Sequence, residues 1–138
     1  MTVHAHLKWT DELQFVARSG EGPAVVMDSS DGGSGASPMQ LVLMGVAGCT
    51  AIDIAVILKK KRISLSRFEV MIKGEQTEDH PRRYTKIAIE YLLYGKTIKP
   101  KAVEQAIQLS ETKYCSAMAS LNAVFEHSYR IVEEAVSF

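Results

Sequence analysis

The sequence predicts a single domain of the α+β class over residues 1–138. Three observations lead to this prediction. Short segments with alternating apolar residues, typical of half-buried strands, lie on both sides of one long apolar segment. The links between neighbouring strands are short, which favours antiparallel pairs. The predicted element order is β-β-β-α-β-β-α-α-β, a pattern typical of an α+β fold.

The long apolar segment runs from Ser37 to Arg62 and predicts a helix. Ser37 suits the N-cap, and Pro38 suits the first helical position, where no N–H is needed. Nearly every residue from Leu41 to Leu58 is apolar, so protein or lipid must cover every face of the helix. The segment is long enough to cross a bilayer, but the carboxylate of Asp53 near its middle would be costly there. We therefore expect a buried helix and no membrane partner.

Local patterns predict the other elements. Alternation predicts the strands, and Pro100 suits the start of a second helix with apolar residues at helical spacing. The glycine-rich stretch Asp28–Ala36 lacks the Lys-Ser/Thr ending of a phosphate-binding loop, so it is predicted to be a connector. The predicted strands are Thr2–Trp9, Leu13–Arg18, Ala24–Met27, Arg67–Gln76, Arg83–Tyr94 and Phe125–Val132, with a last short helix at Ser116–Leu121.

Composition disfavours several classes of function. Sixteen basic and sixteen acidic residues cancel, whereas nucleic-acid-binding domains are net basic or carry a basic stripe. We therefore expect no nucleic-acid partner. The N-terminal residues lack the apolar core of a signal peptide, and two cysteines do not suggest a secreted disulfide scaffold. The expected location is the cytoplasm, where such cysteines are free, metal-bound or redox-active.

The two cysteines, Cys49 and Cys115, are far apart in sequence, so only the fold can bring them together. A thiol inside an apolar helix is ordinarily inert, and two structural cysteines are one interpretation. Cys115 is the more reactive candidate by itself, because a helix starting at Ser116 would favour its thiolate. His4 and His6 share a strand face and could ligate a metal, but no third ligand is near in sequence. We expect neither a metal nor another cofactor.

The segments around both cysteines resemble the OsmC/Ohr superfamily. The shared pattern is Ser37-Pro38 before an apolar stretch containing Gly48-Cys49-Thr50, then a β-hairpin, then Lys113-Tyr114-Cys115-Ser116 before a closing strand. The resemblance covers nearly the whole chain and is strongest to the shorter OsmC-like members. It implies an α+β fold with antiparallel sheets wrapped around long central helices in an intertwined homodimer. A second chain would also explain how a helix without a polar face is covered.

The resemblance implies a thiol-dependent peroxidase that reduces organic hydroperoxides. Cys49 would be the peroxidatic nucleophile that becomes a sulfenic acid, and Cys115 the resolving thiol that condenses with it to a disulfide. A small dithiol or a thioredoxin-like reductant would restore both thiols. The alternative is a stress or binding protein on the same fold, with little or no peroxidase turnover.

One departure from the family pattern favours that alternative. Hydroperoxide reductases of this family pair the reactive cysteine with an arginine, which a glutamate early in the helix holds in place. Here that region reads Pro38-Met39-Gln40 and has no carboxylate. Arg18, at the end of the second predicted strand, is the candidate arginine, because a nearby guanidinium would favour a thiolate.

Other polar residues are expected to be structural. Asp53 lies four residues after Cys49 and is expected to pair with a base. His127 is predicted to be a packing residue of the closing strand. The tyrosines of the predicted strands, including Tyr91, are interpreted as strand or core aromatics.

Overall fold

The structure is a computed structural model that describes residues 1–134. Its elements follow the predicted order and form two three-stranded sheets with helices. The chain divides into two compact units, Met1–Val42 and the residues from Leu43 onwards. The strands are β1 (His6–Asp11), β2 (Gln14–Arg18), β3 (Ala24–Met27), β4 (Arg67–Gln76), β5 (Tyr84–Gly95) and β6 (Val124–Glu133), and the helices are α1 (Pro38–Lys60), α2 (Pro100–Leu109) and α3 (Ser116–Ala119).

The first unit contains an antiparallel sheet in the order β1-β2-β3. The turn between β1 and β2 places Glu12 in the left-handed region, at φ 45°. Strand β1 begins at His6 rather than at Thr2, so the prediction for its start was wrong. His4 precedes the strand, where its carbonyl accepts a hydrogen bond from the Ser19 hydroxyl. The predicted histidine pair therefore does not lie together on one strand.

The loop after β3 is built around a buried carboxylate. Asp28 is 7% exposed and accepts hydrogen bonds from the Ser34 hydroxyl and from the backbone amides of Ser29 and Ser34, at 2.7 and 3.3 Å for the amides. The Ser34 hydroxyl and these amides hold the pKa of Asp28 below its usual value. A Cβ at Gly32 would overlap the Asp28 carboxyl group, so a larger side chain would displace it.

Helix α1 starts where the sequence predicts. The Ser37 hydroxyl accepts a hydrogen bond from the Gln40 amide at 3.2 Å, and the Gln40 side chain accepts one from the Ser37 amide at 2.9 Å. This reciprocal pair is a capping box, which satisfies two amides that the helix itself cannot. At the other end, Lys59 and Lys60 lie in the last turn, where the helix dipole favours positive charge.

Within residues 1–134, helix α1 is covered on one face only. Its buried residues, Val46, Thr50, Ile54 and Leu58, follow the four-residue spacing of a single helix face. Met44, Ile52 and Val56 are 55%, 66% and 47% exposed. The helix is long and apolar enough to cross a membrane, with a mean hydropathy of 2.3 over 18 residues, but core helices of soluble proteins also satisfy this criterion.

The second unit contains a sheet in the order β4-β5-β6. Strands β4 and β5 form the predicted antiparallel hairpin. Strand β6 pairs with β5 in parallel, with Ile89 opposite His127 and Tyr91 opposite Tyr129. The prediction of antiparallel pairs was therefore wrong for β6. The reason is that α2, α3 and the turn between them carry the chain back to the start of β5, as a parallel pair requires.

The core of the second unit lies between the sheet and the helices. Strand β5 is central in the sheet, and its inward residues are almost completely buried. They share the core with the buried face of α1 and with the apolar side of α2. The largest fully buried side chains are Tyr91, Ile54, Leu58, Ile87, Ile89, Leu93, Ile107, Val46 and Val103.

Candidate functional site

The fold brings the two distant thiols into contact. Cys49 is half-buried in the middle of α1, and Cys115 lies between α2 and α3 and is only 4% exposed. Both are free cysteines, and Cys49 lies near enough to Cys115 to raise the pKa of that thiol. A sulfur pair in such contact is a candidate site for reversible disulfide chemistry, which requires the two sulfurs to meet.

A π-helical turn delivers Cys115 to this position. Residues Ser110–Tyr114 continue from α2 with the wider π-helical winding, and the Cys115 amide donates to the Ser110 carbonyl at 2.7 Å. Cys115 itself is extended, at φ −74° and ψ 97°, and forms the N-cap of α3. Single π-helical turns recur at functional sites, because the extra residue redirects the side chains that follow. Here the residue that follows is a cysteine.

A buried hydrogen bond joins the two segments that carry the cysteines. The Ser110 hydroxyl, at the start of the π-helical turn, donates to Asp53 Oδ2 at 2.9 Å. Ser110 is completely buried, and Asp53 lies one helical turn beyond Cys49. The expectation that Asp53 pairs with a base was wrong, since the partner that the structure records is this hydroxyl. The bond holds the π-helical turn against α1 and so maintains the relative position of the two thiols.

Burial controls the ionisation of Cys115. Loss of solvent, with a smaller contribution from the nearby Cys49 thiol, raises the pKa of Cys115 from 9.0 to about 11. The Met118 amide donates to the Cys115 sulfur at 3.4 Å and opposes the shift. The sequence predicted that the following helix would make Cys115 the more reactive thiol. That prediction was wrong, because α3 has only four residues and burial outweighs its effect.

Next to the thiols lies a group of buried polar side chains that the sequence did not indicate. Tyr91 is completely buried, and its pKa is raised mainly by burial. Glu111, in the π-helical turn, has its pKa raised by burial, while His127 and Tyr91 oppose that shift. The Glu111 Oε2 atom lies 2.9 Å from Nδ1 of His127, which is 44% exposed. The sequence indicated a packing residue at His127, and the structure shows a partly exposed side chain that is paired with Glu111.

A hollow of about 390 Å³ lies beside the segments that carry the cysteines. It extends from Asp53 and Tyr114, which are close in sequence to Cys49 and Cys115, towards the lysines at the end of α1. Its walls are mainly apolar. The lining residues are Asp53, Val56, Ile57, Lys60, Lys61, Leu109 and Tyr114. The hollow has the size and the apolar lining of a site for a small organic molecule.

The remaining predicted site residue, Arg18, ends β2 in the first unit and is exposed. Its role towards Cys49 stays a prediction. Gln40, which occupies the region where hydroperoxide reductases have a glutamate, is used in the capping box of α1. Within residues 1–134, no group of three or more histidine, cysteine or acidic side chains is placed to hold a metal ion.

With this geometry in place, comparison with known proteins identifies the family. Residues 31–128 match the sequence model of the family described as OsmC-like protein. The chain belongs to the OsmC family. It is 37% identical over 132 residues to protein YhfA of Escherichia coli K12, a match that covers 94% of this chain and 98% of YhfA. The family resemblance inferred from the two cysteine segments is therefore confirmed.

Solved structures show that the fold is that of other OsmC-like proteins. A hypothetical protein from Aquifex aeolicus VF5 superimposes with a TM-score of 0.88 at 30% identity, over 98% of this chain and 99% of that one. The organic hydroperoxide resistance protein OhrB of Bacillus subtilis superimposes with a TM-score of 0.64 at 13% identity, over 94% and 98% of the two chains. At that identity the second comparison supports the fold alone.

Proposed function

We propose that this OsmC-family protein is a thiol-dependent peroxidase that reduces organic hydroperoxides, with Cys49 as the peroxidatic and Cys115 as the resolving cysteine. The observation that carries the proposal is the contact between these two free thiols, which are distant in the sequence. The choice of reaction follows from the resemblance of the two cysteine segments to the OsmC/Ohr superfamily, and the match to the OsmC-like family supports it.

The geometry favours different roles for the two cysteines. Cys49 is half-buried, whereas Cys115 is 4% exposed, so a peroxide reaches Cys49 more easily. Cys115 keeps its proton at neutral pH, because burial raises its pKa. The attacking group is a thiolate, so the protonated Cys115 is the poorer nucleophile of the two.

The reaction then proceeds in three balanced steps. The Cys49 thiolate attacks the terminal peroxide oxygen, the O–O bond breaks, and the alkoxide takes a proton and leaves as the alcohol. The Cys115 sulfur attacks the resulting sulfenic acid, and the S–O electron pair leaves with hydroxide, which is protonated to water. A dithiol or a thioredoxin-like protein reduces the Cys49–Cys115 disulfide by thiol exchange. Two free thiols suit the reducing cytoplasm, where we place the reaction.

The hollow beside the segments that carry the cysteines supports an organic substrate over hydrogen peroxide. The apolar side chains of Val56, Ile57 and Leu109 would contact the hydrocarbon part of an organic hydroperoxide. Hydrogen peroxide has no such part. Removal of apolar surface from water contributes about 25 cal/mol per Å², so even a small aryl or alkyl group adds measurable affinity.

We also propose that two copies of the chain pair through the exposed face of α1. This face is apolar at Met44, Ile52 and Val56, a large apolar surface for a chain to leave in water. A Cβ built on Gly45 or Gly48 meets no atom within 4 Å inside this chain, so its own packing does not require either glycine. Glycine in a helix costs about 1 kcal/mol relative to alanine, and the close approach of a second helix would explain both residues.

The test of the reaction uses cumene hydroperoxide as the probe, with dithiothreitol as the reductant. We expect the wild-type protein to consume the peroxide catalytically and Cys49→Ser to lose all of this activity. With one equivalent of peroxide and no reductant, Cys115→Ser should accumulate a sulfenic acid that dimedone traps at Cys49, whereas the wild-type protein should form the disulfide.

Two results would reject this assignment in different ways. A sulfenic acid on Cys115 in the Cys49→Ser variant would exchange the roles of the two cysteines. A wild-type protein that leaves cumene hydroperoxide untouched while it remains folded would reject the peroxidase and favour the binding or stress function on the same fold.

A further inference from the structure

Two polar atoms beside the thiols are buried without a full hydrogen bond. Among residues 1–134, the Tyr91 hydroxyl and Glu111 Oε1 are both inaccessible to solvent, and neither has a partner of normal geometry. Buried polar groups are almost always hydrogen-bonded, because an unpaired one costs about 1–3 kcal/mol. Such a pair in the core indicates a role other than stability.

These atoms lie in a series of groups that leads from the thiols to the surface. Tyr91 is near enough to Cys115 and to Glu111 for the charge of either to raise its pKa. The other oxygen of Glu111 contacts His127 at 2.9 Å. Cys115 and Tyr91 are 4% and 0% exposed, and the exposed fraction then rises to 17% for the Glu111 side chain and 44% for the His127 side chain.

At its outer end the series reaches water. The His127 side chain is 44% exposed. Lys73, Glu90 and Glu126 line a hollow of about 330 Å³ on the opposite face of the sheet. Both of these carboxylates have their own partners, since Glu126 pairs with Lys86 at 3.2 Å and Glu90 contacts Arg130 at 4.0 Å.

The other elements packed against the series contribute few charges. From α1, the Thr50 hydroxyl faces Tyr91 and is neutral. On the π-helical turn, the Lys113 ammonium lies over the Tyr114 ring, 5.2 Å from its centre. Glu111 is therefore the carboxylate that faces the Tyr91 hydroxyl.

We propose that Tyr91, Glu111 and His127 form a proton path that accepts the proton of the Cys115 thiol when this sulfur attacks Cys49. The need for the path rests on the proposed function, in which Cys115 must react although it is protonated at neutral pH. Glu111 acts through Tyr91, so it is a positioning and proton-accepting residue that never touches the peroxide.

The transfer balances without any further reactant. As the Cys115 sulfur bonds to the Cys49 sulfur, its proton passes to the Tyr91 oxygen, and the Tyr91 proton passes to Glu111 Oε1. The electron pair of the S–H bond becomes the S–S bond, and the electron pair of the bond that breaks at Cys49 leaves with the departing group. Glu111 then returns its proton through His127 to water. A positioned base of this kind accelerates a proton transfer by about 10² to 10⁴.

The test isolates the closure step and needs no peroxide. Dithiobis(nitrobenzoate) reacts first with Cys49 and releases one coloured thiolate. The attack of Cys115 on this mixed disulfide then releases the second, and the rate of the second release measures closure. The variants are Glu111→Gln and Tyr91→Phe, with Glu126→Gln as a control that removes a carboxylate from the surface hollow.

We expect the wild-type closure rate to be nearly constant through neutral pH, where Glu111 is the base. In Glu111→Gln, closure at neutral pH should be about 10²-fold slower and should rise tenfold per pH unit towards the Cys115 pKa of about 11. Tyr91→Phe should match this behaviour, and the double variant should be no slower than either single one. Glu126→Gln should behave as the wild-type protein does.

The change in pH profile separates a proton path from a structural role. Tyr91→Phe removes a hydroxyl that makes no full hydrogen bond, so thermal unfolding should be almost unchanged in this variant while closure slows. Wild-type rates and pH profiles in Glu111→Gln and Tyr91→Phe would overturn the path. Failure of the proposed function would be seen separately, as an absence of cumene hydroperoxide consumption by the wild-type protein.

Discussion

Cys115 should be almost unreactive towards alkylating agents at neutral pH. Its pKa, raised by burial from 9.0 to about 11, leaves roughly one thiolate in ten thousand at pH 7, about 100-fold fewer than an unperturbed thiol would have. Timed alkylation with iodoacetamide, followed by mass spectrometry of the Cys115 peptide, measures this directly. The rate should rise about tenfold per pH unit and level off only near pH 11.

The same shift makes the stability of the fold depend on pH. The folded state holds the Cys115 proton more tightly than the unfolded state does. The stabilisation is therefore complete below pH 9 and is lost as the pH rises to about 11, by about 2–3 kcal/mol. Urea unfolding should show this loss in the wild-type protein and not in Cys115→Ser. An alkylation midpoint near 9, or an equal pH dependence in the serine variant, would refute the reasoning.

Four further variants test the packing and the assembly. Leu58→Ala empties a completely buried site, and should lower the free energy of unfolding by about 2–5 kcal/mol in urea titrations. Gly74→Ala places a Cβ 2.5 Å from an aromatic ring and should cost about 1–3 kcal/mol in the same assay, so an unchanged midpoint would contradict the packing. Ser110→Ala removes the bond between the π-helical turn and α1, and should cost about 1–3 kcal/mol and slow disulfide formation measured with an oxidised dithiol. Gly45→Leu adds a side chain whose Cβ meets no atom within 4 Å in one chain, and light scattering should show it as a monomer while the wild-type protein is a dimer; equal masses would reject pairing at this face.

Much of the fold could be predicted from local sequence patterns. The start of α1 was predicted correctly because Ser37 and Pro38 have specific roles at a helix start, and the capping bonds of Ser37 are observed. Strands β3 and β4 have the predicted bounds, since β3 is a short apolar run, β4 has alternating apolar residues, and turn-forming sequence flanks both. Local chemistry determines such features, so one sequence is enough to find them.

The pairing of the strands could not be predicted in the same way. Alternation shows which residues of a strand share a face, but not which neighbour it joins or in which direction, so the parallel position of β6 was missed. The π-helical turn at Ser110–Tyr114 was also missed. Its winding depends on tertiary contacts such as the bond from Ser110 to Asp53, which no local pattern encodes.

The residues of the candidate site also differ in how well the sequence predicts them. The importance of Cys49 and Cys115 could be inferred from the residues around them, while their contact became visible only in the folded chain. Tyr91 gave no signal because it alternates like any inward residue of β5. Glu111 comes shortly after the last apolar residue of α2, so its sequence position is typical of a solvent-exposed residue at a helix end. Burial makes both unusual, and burial is set by the whole fold.

The long separation of Cys49 and Cys115 gives their contact a thermodynamic consequence. A disulfide between them would close a loop of roughly 66 residues. Such a loop lowers the conformational entropy of the denatured chain, which stabilises the folded protein by about 4 kcal/mol. Oxidation would therefore raise the melting temperature of the protein and slow its digestion by proteases. The melting temperature would then show whether the disulfide has formed, without any assay of peroxide.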